Sequence, residues 1–161
     1  MYFSYIHSYL NYANIAWAST YPTSFQRILL KQKHAARIVY NKDKLSHSKP
    51  LLRNLNALNV YQINIYQHLG FMHRFNNDET PKVFNDIIKR PEHRYPTSFS
   101  GLNFTLKPYS LNSTKYSISF RGPKLWNDIP NKQEKEIKSS LLFQKKMKSK
   151  LLDNENETDY F

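Results

Sequence analysis

Phe25-Gln26-Arg27-Ile28-Leu29-Leu30-Lys31-Gln32-Lys33-His34-Ala35-Ala36-Arg37-Ile38-Val39-Tyr40 is the stretch on which the reading of this chain turns. Phe25, Ile28, Leu29, Ala36 and Val39 recur at helical spacing and predict one apolar stripe. Arg27, Lys31, Lys33, His34 and Arg37 fall mostly off that stripe. The segment is therefore expected to form an amphipathic helix over 25–40 with one oily and one basic face. Pro22 is expected to break the chain just before it, and Ser24 to supply the N-cap.

Working outward, the same period recurs on both sides. Tyr2, Tyr5, Tyr9 and Tyr12 are spaced 3, 4 and 3 apart, one face of a first helix within residues 2–19. That helix reaches Met1 with no cap ahead of it, which predicts further protein upstream and apolar surface exposed in its absence. A short helical turn is expected around Leu51 and Leu52, opened by Pro50. A third helix of about 59–76 places Tyr61, Ile65, Leu69, Met72 and Phe75 on its inner face. Asn76-Asn77-Asp78 stops it, and Thr80-Pro81 starts a short helix through Ile87 and Ile88. From Pro91 to about Thr114 the sequence is loop-like, with a short strand expected in the alternation from Phe99 through Leu106. Ser139-Ser140 caps a last helix of about 140–152, with Phe143, Met147 and Leu151 buried.

The expected fold is mainly α: a small helical bundle, an irregular loop-rich segment and a short C-terminal basic helix. The expected divisions are a helical segment over 1–90, a linker over 91–115, a small unit over 116–152 and a disordered acidic tail over 153–161.

Charge is the most informative bulk property. The chain carries 24 Lys and Arg against 12 acids, a net charge of +12, and four of those acids lie in the last nine residues. Residues 1–152 alone carry +16, and the first 42 residues hold no acid. Such a field attracts polyanions, nucleic acid before anionic membrane. No apolar run approaches the roughly 20 residues that a membrane span requires, so no membrane partner is expected. There is no cysteine, which removes disulfides, thiol nucleophiles and Cys-based zinc sites. Met1-Tyr2-Phe3-Ser4 lacks the basic start of a secretory signal, so a nuclear or cytoplasmic setting is expected.

Chemistry is expected to be absent from this chain. Asp78-Glu79 is the one adjacent acidic pair before the tail, and it reads as a solvated helix stop rather than a two-metal site. His68 and His73 are five apart, so they do not share a helix face as a zinc pair does at spacing four. With three glycines, Gly70, Gly101 and Gly122, there is no glycine-rich phosphate loop, and no nucleophile elbow surrounds any serine. No catalytic residue, metal, cofactor or small-molecule substrate is expected. The candidate site residues are cations for phosphate: Lys31, Lys33 and Arg37 on the second helix, Arg121 and Lys124 flanking an expected Gly122-Pro123 turn, and Lys145, Lys146, Lys148 and Lys150 on the last helix. Trp126 is expected to be a buried anchor, with base stacking as the lesser alternative.

The order of several short motifs resembles one family. Tyr9-Leu10-Asn11-Tyr12 followed by Ala16-Trp17 is similar to the aromatic helix after the polymerase palm in non-LTR (LINE-like) retrotransposon reverse transcriptases. Leu30-Lys31-Gln32-Lys33-His34-Ala35-Ala36-Arg37-Ile38-Val39 resembles its Leu-Gln-Lys-x-Ala-x-Arg-Ile segment. Pro50-Leu51-Leu52 leading into Leu55-Asn56-Ala57-Leu58-Asn59-Val60 is similar to a further family stretch, and Tyr116-Ser117-Ile118-Ser119-Phe120-Arg121-Gly122-Pro123-Lys124-Leu125-Trp126-Asn127-Asp128-Ile129-Pro130 to its closing Gly-Pro-x-x-Trp-Asn-x-Leu-Pro motif. The resemblance covers about residues 1–152. It implies the end of the thumb plus a C-terminal extension of an RNA-directed DNA polymerase, with the carboxylate-bearing palm upstream. Charge gives RNA or DNA through phosphate contacts as the expected partner, the exposed face of the first helix adds self-association, and the resemblance adds the polymerase core. The alternative reading is an independent, non-catalytic basic module that binds nucleic acid or protein.

Overall fold

Pro22 opens the first long helix rather than interrupting the chain. A computed structural model describes residues 1–91, 102–108 and 111–153. In it Pro22 is the first helical residue after an extended Tyr21, where a missing N–H costs nothing and a fixed φ suits the helix. Ser24 therefore lies inside the first turn and caps nothing. All regular structure among the described residues is helical: α1 (Ser8–Asn11), α2 (Asn14–Trp17), α3 (Pro22–Val39), α4 (Ser48–Asn54), α5 (Val60–Asn76), α6 (Phe84–Ile87), α7 (Asn112–Lys115), α8 (Ile118–Asn127), α9 (Lys132–Lys135) and α10 (Ser140–Asp153), with a π-helical segment Phe3–His7 ahead of α1. The mainly helical class is thus as expected.

Several helix ends follow local chemistry. Asn59 and Gln62 bond reciprocally, each side-chain oxygen accepting from the other's backbone N–H, a capping box that opens α5. Helices α3, α4 and α5 are followed by Asn41, Asn56 and Asp78 in the left-handed region, at φ 49°, 52° and 59°. In each case the next N–H reaches back to close the end: Lys42 to Arg37 O, Ala57 to Leu52 O and Glu79 to Arg74 O. Asp78 also takes an ion pair from Arg90 at 2.8 Å, and the same guanidinium donates to Phe75 O and Asn76 O. The Asp78-Glu79 pair therefore ends a helix, as its sequence position implies.

The N-terminal segment is not one continuous helix. Ala13 sits at φ 47°, a conformation costly for a residue with a Cβ, and divides α1 from α2. The break is held by Trp17 Nε1 donating to Tyr12 O at 2.8 Å and by buried Asn14, which donates to Leu10 O and accepts from Asn64 Nδ2, both at 2.9 Å.

The chain forms two compact units, Met1–Tyr66 with Lys148 onward, and Gln67–Met147. In the first, α3 packs on α4. Tyr2, Ala36, Leu51, Leu52 and Ala57 make one apolar cluster, and Ala18, Phe25, Leu29, Val60 and Tyr61 another. Phe25 stacks on Tyr61 at 5.1 Å and on Trp17 at 6.0 Å between ring centroids, pairs worth about 0.5–1.5 kcal/mol each beyond their buried area. The inner face of α3 is Phe25, Leu29, Gln32 and Ala36, with Ile28 half-buried and Val39 exposed.

In the second unit, Trp126 is fully buried among Phe104, Phe143 and His73, at 6.1, 5.8 and 6.5 Å. Its packing role is as expected, and burial excludes it as a stacking platform for bases. Gly122-Pro123 is not a turn: both lie within α8. Gly122 relieves the crowding that a Cβ suffers before proline in helical geometry. It also admits Met72, whose Sδ would stand 2.9 Å from an added Cβ. No strand forms among the described residues of the expected 99–106 alternation. Instead Phe104 is buried and both of its backbone groups pair with the Asn127 side chain, at 2.9 and 2.8 Å. One amide group takes the place of a neighbouring strand. The expected linker contains a helical turn, α7, at its end. The remainder of that linker (92–101, 109–110), with Phe99 and Gly101 of the strand, and the acidic tail beyond Asp153 lie outside the described residues.

Candidate nucleic-acid interface

The expected cations divide by environment. On α3, Arg27 and Lys31 are exposed and four residues apart, so they share one side. Lys33 follows Lys31 by two residues, roughly 200° around the helix, and shares its side with Arg37. Both are half-buried, and Arg37 Nε donates to Ser46 O at 2.8 Å. Lys31, Lys33 and Arg37 are therefore not one cluster.

Arg121 is a correction. It is 6 % exposed on the inner side of α8, beside Gly122, Pro123 and Trp126. Burial pushes its guanidinium below the ordinary value, and Tyr116 partly offsets this. A side chain so enclosed is a packing element, not a surface contact for phosphate. Lys124, on the outer side of α8, is exposed.

On α10 the line Phe143, Met147 and Leu151 is buried as expected, and Ser139 caps the helix, its carbonyl accepting from Phe143 N and its hydroxyl from Leu142 N. Lys145, Lys146 and Lys150 are exposed and Lys148 is half-buried. Lys145 and Lys146 belong to the second unit, Lys148 and Lys150 to the first. Lys146 pairs with the buried carboxylate of Glu134 at 3.2 Å, so part of its charge is already spent.

Two buried groups escaped the sequence reading. Lys135, almost fully enclosed, donates to Asn103 Oδ1 at 2.8 Å and Asn127 O at 3.4 Å. Burial lowers its pKa, while Asp128 acts the other way. Gln32 is enclosed on the inner face of α3. Its Nε2 donates to Tyr2 Oη at 2.8 Å and Leu58 O at 2.9 Å, and its Oε1 accepts from Val60 N at 2.8 Å. Burial raises the Tyr2 phenol, and the Gln32 bond partly lowers it again.

Of the described histidines, His68 and His73 are buried, while His34 and His47 are exposed. His73 Nε2 donates to Ile137 O at 2.6 Å and its ring stacks on Phe143 at 4.4 Å. No group of three metal-binding side chains occurs among the described residues, and no described helix is long and apolar enough to cross a membrane. His7 is half-buried, and its Nδ1 has no hydrogen-bond partner. Burial first, and the charge of Lys148 second, hold its pKa below the ordinary 6.5. The folded chain thus resists a proton that the unfolded chain accepts, so this contribution is complete above about pH 6.5 and is lost as pH falls below it. The melting temperature is expected to drop on acidification from neutral to about pH 5.5, and His7→Gln to shrink that drop. An identical drop in the variant would show that other groups cause it.

One open groove of about 300 Å³ lies in the first unit, walled by Tyr5, Tyr9 and Leu10 on one side and Ile28, Lys31 and Ala35 on the other. It is at the small end of ligand clefts, which span roughly 300–1,000 Å³.

The chain matches no protein-family model, no curated protein and no solved structure.

Proposed function

We propose that this chain is a non-catalytic nucleic-acid-contacting segment, corresponding to the thumb end and C-terminal extension of a non-LTR retrotransposon reverse transcriptase. Its role is to grip phosphate or brace a polymerase core, with the polymerising carboxylates in a palm outside this sequence. The family part of this reading rests on the order of the motifs. The binding part is carried by one observation: Met1–Tyr66 holds eight Lys and Arg against a single acid, Asp43. Two of those cations, Arg27 and Lys31, stand exposed in one row on α3.

Contacts of this kind give affinity without base readout. If roughly 4–6 phosphates are neutralised, log K for RNA or DNA falls with log salt at a slope of about −4 to −5. Exchanging Arg27 and Lys31 together for glutamine is expected to flatten that slope by about 2. Exchanging Lys33 and Arg37 should do less, because both are half-buried and Arg37 is engaged with Ser46 O. Fluorescence anisotropy against a salt series reads all of these. Binding that ignores salt, or that survives the Arg27 and Lys31 exchange unchanged, would transfer the chain to the protein-interaction reading.

A further inference from the structure

Tyr5, Tyr9 and Tyr12 are 69 %, 78 % and 80 % exposed, although the tyrosine that begins their row, Tyr2, is buried. Among the described residues, these three side chains stay largely uncovered. Contiguous exposed aromatic surface marks a place of contact, and Tyr5 and Tyr9 form one wall of the groove whose other wall carries Lys31. Arg27 stands one turn along α3 from Lys31.

The occupant must offer flat aromatic-compatible faces and negative charge side by side. A second copy of this chain offers the faces but brings the same field, eight cations against one acid over Met1–Tyr66, so like charges would oppose each other. A nucleic-acid duplex offers the charge but hides its base faces within the stack. An unpaired strand offers both, one base and one phosphate per nucleotide.

We propose that the Tyr5–Tyr9 groove selects single-stranded RNA or DNA, its unpaired bases stacking on the two phenol rings while Lys31 and Arg27 hold the adjoining phosphates. The inference rests on the nucleic-acid reading above and goes beyond it, because phosphate contact alone does not distinguish an open strand from a duplex.

The test uses the full chain, a labelled homopyrimidine oligonucleotide, and a blunt duplex of the same length at one salt concentration. The single strand is expected to bind at least about tenfold more tightly. Tyr5→Ala with Tyr9→Ala should lower single-strand affinity by roughly 10- to 100-fold and leave duplex affinity unchanged. Tyr5→Phe with Tyr9→Phe should keep the preference, since the ring and not the hydroxyl stacks. Both positions are solvent-facing, and circular dichroism confirms that each variant keeps its helix content. If strand and duplex bind alike with a normal salt slope, or the alanine pair weakens both equally, the groove proposal falls and the nucleic-acid reading stands. If neither binds, both fall. If the alanine pair dissolves a dimer in sedimentation without changing oligonucleotide affinity, the groove belongs to a second copy of the chain and the proposal is wrong.

Discussion

Trp126→Ala is expected to destabilise the chain by about 3–5 kcal/mol, the usual cost of emptying a large aromatic site in a core. The side chain is fully enclosed among Phe104, Phe143 and His73. Its removal also takes away the Nε1 hydrogen bond to Leu102 O at 2.8 Å. That bond and the Asn127 pair to Phe104 are what fasten residues 102–104 to α8. Trp126→Phe separates the two effects: much of the volume stays, the donor goes, and the loss should fall to about 1–2 kcal/mol. Urea unfolding followed by circular dichroism measures both. Equal, small losses for the two variants would mean that the Trp126 pocket collapses without penalty and does not anchor the second unit.

Trp126 belongs to the part of the fold that the sequence makes legible. A large aromatic side chain in a short motif, and Phe143, Met147 and Leu151 at spacing four, have few alternatives to burial, and burial is where they lie. The inner positions of α5, from Tyr61 to Phe75, are legible for the same reason. Where the reading missed, distant contacts outweighed local signals. Gly122-Pro123 is a turn signal over two residues, but the two residues lie within α8, where a Cβ at Gly122 would require the Met72 side chain to shift. Arg121 looks like a surface cation by type and is enclosed by the same helix face. The strand expected around Phe104 failed because its partner is a side-chain amide, Asn127, which no periodicity reveals. Of the candidate interface, the amount of charge was legible and its arrangement was not. Helical spacing already separates Lys31 from Lys33, whereas the engagement of Arg37 by Ser46 and of Lys146 by Glu134 depends on contacts that spacing does not encode.

Gln32 is the sharpest instance, and it carries the second large effect. Periodicity assigns the inner face of α3 to apolar residues, yet the position between Leu29 and Ala36 is a buried amide with three partners. Val60 N is the first amide of α5 and has no partner within its own helix. Leu58 O lies in the segment that leads into α5. The Gln32 side chain therefore fixes the entry of α5 against α3 and ties Tyr2 to the same point. Gln32→Met keeps most of the shape but removes donor and acceptor together, stranding buried groups that each cost about 1–3 kcal/mol when unpaired. The expected loss is about 2–5 kcal/mol, read from urea unfolding. Gln32→Glu distinguishes hydrogen bonding from packing. Its carboxylate still accepts from Val60 N but faces Leu58 O without a proton to donate, and it buries a charge. Burial disfavours that charged form, so the folded carboxyl titrates above its unfolded value and the deficit relative to wild type shrinks as pH falls through the folded value. A Gln32→Met variant as stable as wild type would show that water or backbone movement replaces all three bonds. Because Gln32 also lines the groove beside Lys31, the same substitution should loosen the wall that positions Lys31, weakening single-strand binding before the chain unfolds.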